Sequence, residues 1–515
     1  MSHRKAFAAL LLLFSGAACA QTSVNGVSGQ AVGSTYIGLV TTRNEMQESL
    51  NASATWSMGR VMQYARRPIA ANTMKIVFGN FYVPSTNVET SPGTGTYKVS
   101  VEYPLGTFAA CTFAGSATGS VTGIGLATTD ACGPAIPDGA RFWIRVLYTN
   151  PAGMIYTAGG SNHYGLQFQT AQGDAFIFGT GTAADYTAGT AVGSGSPVFS
   201  AATTALMAPV AVLAPTNQAT VVLVGDSRCV GNGDTVSDQS ADQGELARPV
   251  GMQFAYSKLC AQSGTAAAFV TSTNSAERQI LINSVIHPTL VIDSYGVNDI
   301  FTGGAVATLI TNLNAIAALW PAIETWGTTI PPETTTASLT LTAAGTASGG
   351  VTAYVGTFPN CGTNACVGAF FTVAGFTNGA NNGTWAATAS TTTALTLANT
   401  AGVAETHAGT ATDNWGTTVN QASVNAGQTS NLYSFNYVFA MRGSIFNERR
   451  VLDINQIFDP GNTGLWPVSA LNGQTVNAQR TNYATTDGVH ESYQGNQLIA
   501  NRLVNAFAAL ARVNP

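Results

Sequence analysis

Ala219-Thr-Val-Val-Leu-Val-Gly-Asp-Ser-Arg228 decides the fold. Val221 to Val224 is a short, charge-free apolar run of the kind found in strands buried on both faces of a parallel sheet. Gly225-Asp226-Ser227 then breaks the run with turn-forming residues and sets a hydroxyl directly beyond the strand. Working outward, Glu245 to Leu259 reads as a helix, Thr289 to Ser294 as a strand and Val306 to Leu319 as a helix. Ile323 to Ile330 reads as a third strand, ending before Pro331 and Pro332. After an interruption the pattern resumes with helices over Tyr433 to Arg442 and Tyr493 to Leu510. Leu498, Ile499, Leu503, Val504, Phe507 and Leu510 form the apolar stripe of the last helix. Strands alternating with helices predict an α/β fold: a parallel sheet with helices on both faces.

Two regions depart from this alternation. Residues 21–215 read as β structure, a β-sandwich or jelly-roll-like accessory domain. Met74 to Val83, Thr96 to Tyr103 and Ala140 to Thr149 are its clearest strands. In the last, Phe142, Ile144, Val146 and Tyr148 share one face, while Arg141, Trp143, Arg145 and Leu147 share the other. Trp143 could stack on a sugar ring, but the reading we favour makes it a core residue. Residues 335–412 read as a small all-β insertion. Its strands are Ser338 to Thr342, Ala369 to Ala374, Gly383 to Ala387 and Ala394 to Leu397, with turn pairs at Asn378-Gly379 and Asn382-Gly383. The organisation expected is a signal peptide over 1–20, the β domain over 21–215, an α/β domain in two parts (216–334 and 413–515), and the insertion between those parts.

Only 9% of the 515 residues are charged, against about 25% in an ordinary globular protein. With a formal charge of -5 and no long basic run, a nucleic-acid partner is not expected. The 55 glycines follow no triplet period, which excludes collagen. At the N-terminus, Arg4 and Lys5 precede the apolar run Ala6 to Phe14, and Ala18-Cys19-Ala20 has the form of a cleavage site. That run is shorter than the roughly 20 residues a membrane span needs, and Pro215 and Asn217 interrupt the apolar stretch Val210 to Val224. The expectation is a secreted or periplasmic protein, cleaved near Ala20, without a transmembrane segment. Export favours disulfides. Sequence neighbours suggest Cys111–Cys132, Cys229–Cys260 and Cys361–Cys366. Zinc held by Cys361, Cys366 and His407 is the alternative for the last pair, although the paired short knuckles of common zinc sites are missing.

Three short motifs fall at element ends of the α/β region: Gly225-Asp226-Ser227-Arg228, Gly296-Val297-Asn298-Asp299 and Asp487-Gly488-Val489-His490. A serine hydroxyl needs a base to take its proton. His490 is the natural one, since His163 and His407 lie in the β regions and His287 precedes Pro288 in a connection. Asp487, three residues before His490, can hold the imidazole in the required tautomer, or simply cap the last helix.

In order and placement this set resembles the SGNH (GDSL-type) superfamily of serine hydrolases, over about 219–332 and 413–513. The resemblance implies a flavodoxin-like parallel sheet and a catalytic set of Ser227, Asp487 and His490. It also implies an oxyanion hole from the Ser227 N–H, the Gly264 N–H and the Asn298 side-chain amide, with Ser272 in Val270 to Asn274 as the alternative to Gly264. Arg228 departs from the leucine of the literal signature. Asp226 and Asp299 are read as structural. Cys229 as nucleophile is set aside because an exported chain with an even cysteine count favours a bridge, and no Gly-x-Ser-x-Gly motif supports an α/β-hydrolase. The implied activity is hydrolysis of carboxylic esters through an acyl-enzyme, without metal or organic cofactor. Two β modules on an exported catalytic domain suggest O-acetyl groups on a carbohydrate or other polymer. The alternatives are a lipase, lysophospholipase or short-chain carboxylesterase, or a glycan-binding surface protein with an inactive hydrolase scaffold.

Overall fold

The structure is a computed structural model that describes residues 35–157, 172–188, 192–193, 196–197, 205–234, 242–333, 337–359, 361–364, 366–413, 451–459, 466, 484–485 and 488–513. The signal segment, His163, Asp487 and the Tyr433 to Arg442 helix expectation lie outside the described residues.

Thr220–Gly225 is fully buried and sits inside a six-stranded, all-parallel sheet. The sheet runs in the order Asn44–Glu45, Ala255–Lys258, Thr220–Gly225, Leu290–Ser294, Glu324–Thr328, Val451–Leu452. Counted from Thr220, that is the flavodoxin-like order 2-1-3-4-5, with Asn44–Glu45 added at one edge. The strand's alternation serves two cores. Val222 and Val224 pack beneath the helices that include Val306–Ala318. Val221 and Leu223 pack with Ile499, Leu503 and Phe507 of the last helix, Tyr493–Val513, on the other face.

One expected element is corrected. Glu245 to Leu259 is not a single helix: a short helix spans Ala247–Gly251 and Ala255–Lys258 is a buried strand paired with Thr220–Gly225. Ser257 and Lys258 give that strand a polar end. Burial is possible because Ser257 Oγ donates to Val210 O (2.6 Å), and Lys258 Nζ donates to Val230 O (2.7 Å) and pairs with Glu45 (3.2 Å).

In the N-terminal region, a four-stranded and a six-stranded sheet, both antiparallel, face each other. Ile76, Phe78 and Val212 of the first meet Val61, Val99, Ile144 and Val146 of the second in one core. Cys111 and Cys132 are bridged, with Cα atoms 5.4 Å apart. Trp143 is half-buried. Its indole N–H donates to Gln172 O (2.9 Å), and the Arg60 guanidinium lies 4.2 Å from the ring centre. This region also holds the α/β part directly. The Glu89 carboxylate accepts from the N–H groups of Glu277 (2.8 Å) and Arg278 (3.0 Å) and from Arg278 Nε (3.0 Å).

Residues 337–413 close into a six-stranded barrel. Its strands Thr352–Gly356 and Glu405–Asp413, rich in small residues, had no distinct sequence signal. The barrel has its own core of Leu341, Tyr354, Phe371, Leu395 and Leu397. Cys361 and Cys366 form a disulfide, and His407 is exposed, so the zinc alternative does not hold for this pair.

Candidate active site

Gly225 ends the central strand. A Cβ there would strike Ser294 Oγ and crowd Cys229 Cβ, so the turn into the next element requires glycine. Asp226 caps the helix Ser227–Val230 by accepting from Arg228 N–H (3.0 Å). Ser227 therefore opens a helix at the carboxyl edge of the sheet, where its own N–H has no intrahelical acceptor. Cys229, in the same helix, is bridged to Cys260 at the end of the adjacent strand, with Cα atoms 5.9 Å apart.

From the far end of the chain, His490 Nε2 comes within 2.8 Å of Ser227 Oγ. Ser227 is 6% exposed and His490 half-buried. The loop bearing the histidine is fastened by three consecutive carbonyls. Gly488 O accepts from Trp466 Nε1 (2.8 Å), Val489 O from Arg228 Nε (2.9 Å) and His490 O from Thr485 Oγ1 (2.7 Å).

Asn298 lies in the helix Val297–Phe301, just past the strand Leu290–Ser294, across the switch point from Ser227. Its Nδ2 donates to Gly264 O (2.9 Å), so the two residues stand together. Gly264 is buried against the end of the central strand, where a Cβ would meet Gly225 O at 2.9 Å and the Tyr295 ring at 2.7 Å. Its N–H donates to Ala261 O (2.9 Å) within a turn. Ser272, by contrast, is exposed at the start of the helix Ser272–Ile280. Asp299 caps the helix Ala266–Val270, accepting from Ala266 N–H (2.9 Å) and Ala267 N–H (3.3 Å).

Asn232 was not singled out by the sequence. Gly231 adopts φ of 106° and folds the chain back, so that Asn232 N–H donates to Ser227 O (3.0 Å) and Asn232 Nδ2 lies 3.4 Å from His490 Nε2. The glycine-rich stretch marks the turn, but nothing in it points to His490. Among the described residues no group of three His, Cys, Asp or Glu side chains converges as a metal site, and no helix is long and apolar enough to cross a membrane.

Burial pushes the Asp226 carboxyl up to about 7, with Arg228 opposing the shift. Glu245 is held well above the usual carboxylate range by burial and by its neighbours Glu491 and Asp226. A carboxyl near 3.9 when unfolded and near 7 when folded keeps its proton longer in the native state. Its contribution to stability is full below about pH 4 and is lost as pH rises through about 7. Asp226→Asn keeps the Oδ1 acceptor but cannot titrate. Relative to wild type, its Tm should therefore rise progressively between pH 5 and pH 8 in thermal melts. Parallel Tm curves would contradict this account of Asp226.

No protein-family profile and no curated protein matches the chain. Solved structures do. A carbohydrate acetylesterase family member from Sinorhizobium meliloti is 11% identical, with TM-score 0.30, covering 57% of this chain and 99% of that one. A GDSL-like lipase from Bacteroides thetaiotaomicron is 12% identical, with TM-score 0.27, covering 56% and 88%. The periplasmic domain of a lipopolysaccharide acetyltransferase from Salmonella ser. Paratyphi A is 11% identical, with TM-score 0.31, covering 56% and 84%. The Ser and His of the first and last motifs stand in contact, and the Asn of the middle motif lies across the switch point from them.

Proposed function

We propose that the chain is an exported serine esterase of SGNH type acting through an acyl-enzyme. The observation that carries the reading is the 2.8 Å contact between Ser227 Oγ and His490 Nε2 at the carboxyl edge of a parallel sheet. In this mechanism His490 takes the Ser227 proton as Oγ attacks the ester carbonyl. The oxyanion is held by the Ser227 N–H and by the Asn298 amide, whose second N–H is free to turn to substrate while the first holds Gly264 O. Gly264 is the third donor, its N–H shared with Ala261 O. His490 then protonates the leaving alcohol and activates the water that deacylates Ser227. Asp487 orients His490 in this scheme.

The substrate class we assign is O-acetyl groups on a carbohydrate or similar polymer. The secretory N-terminus read from the sequence and the two β regions attached to the α/β part support it. Hydrolysis of p-nitrophenyl esters from acetate through octanoate, measured beside Ser227→Ala, tests the assignment. Ser227-dependent turnover should fall sharply beyond acetate. Turnover rising toward octanoate would turn the reading to a lipase, and equal rates in both proteins would defeat the esterase itself.

A further inference from the structure

Arg228 is 3% exposed, and all of its side-chain nitrogens point at backbone carbonyls. Nε donates to Val489 O (2.9 Å), Nη1 to Pro331 O (3.2 Å) and Nη2 to Pro332 O (3.0 Å). The Glu491 carboxylate lies 3.7 Å away, supplying a counter-charge. These partners belong to two segments far apart in the sequence. Val489 and Glu491 flank His490. Pro331 and Pro332 follow the strand Glu324–Thr328 and lead toward the barrel, which begins at Ala337.

We propose that Arg228 is the positioning residue that sets the Ser227–His490 distance. Its backbone belongs to the helix that presents Ser227, and its guanidinium grips the carbonyl immediately before His490. The remaining two nitrogens fix that grip to the Pro331–Pro332 segment, so nucleophile and base are referenced to one rigid point. The inference rests on the serine-esterase reading. Geometry explains why arginine is needed. Three acceptors in different directions match a planar fork of fixed donors, which neither leucine nor the single ammonium of lysine reproduces. Losing the fork removes the Arg228 donor from Val489 O on the histidine loop and the donors to Pro331 O and Pro332 O that anchor it, which lets the loop shift. A misplacement of about 1 Å between reacting groups can cost about 10²-fold in rate.

The test compares wild type, Arg228→Lys and Arg228→Leu. A fluorophosphonate titrates the competent sites, p-nitrophenyl acetate gives kcat per titrated site and KM, and thermal melts report folding. Arg228→Lys keeps a cation beside Glu491 and carries the test if Arg228→Leu does not fold. The expected result is kcat per titrated site lowered about 10- to 100-fold in Arg228→Lys, with KM within about twofold of wild type. A merely structural role would lower Tm and the number of titratable sites but leave kcat per site at the wild-type value, and that outcome overturns the assignment. Wild type without Ser227-dependent turnover would instead overturn the esterase reading beneath it.

Discussion

Ser227→Ala should lower kcat on p-nitrophenyl acetate by about 10⁴-fold or more, while leaving the fold intact. The hydroxyl is the only group removed. Its Oγ lies 2.8 Å from His490 Nε2, and the helix that presents it is held by the Asp226 cap and the Cys229–Cys260 bridge, neither of which uses the hydroxyl. Without Oγ no acyl-enzyme forms. What remains is attack by water assisted by His490 and the oxyanion donors, the source of the residual rate when a nucleophile is deleted. Steady-state kinetics with a thermal melt of each protein checks this. A variant that keeps wild-type turnover would place the chemistry elsewhere.

The second large effect belongs to the base. His490→Ala should lower kcat by about 10³-fold or more, because an unassisted serine hydroxyl is a poor nucleophile at neutral pH. The loop should survive the change. Three of its fastenings run through the carbonyls of Gly488, Val489 and His490, which the substitution leaves in place. KM should therefore move much less than kcat. Near-normal turnover would rule out His490 as the base.

The parts of this molecule that were legible in the sequence are those where local pattern and tertiary setting agree. Val221 to Val224 carries no charge and is buried on both faces, so its strand reads directly. Ala255–Lys258 occupies the neighbouring position in the same sheet yet reads as helix, because Ser257 and Lys258 give it a polar end. Their acceptors, Val210 O, Val230 O and Glu45, are distant in sequence and leave no local mark. Asn44–Glu45 adds an edge strand to that sheet from about 175 residues upstream of Thr220, with only two residues to signal it.

The site divides in the same way. Ser227, Asn298 and His490 belong to motifs that declare a chemistry through side-chain type and placement at element ends. Asn232 and the grip of Arg228 do not. Asn232 reaches His490 through the left-handed turn at Gly231, and Arg228 binds backbone carbonyls, which every residue has and no motif can mark.

The most direct test of Ser227 as the nucleophile is to treat the protein with a fluorophosphonate and map the adduct by peptide mass spectrometry. The account predicts one phosphonyl group on Ser227, absent from Ser227→Ala and formed far more slowly in His490→Ala. An adduct on another residue, or equal labelling of wild type and Ser227→Ala, would contradict it.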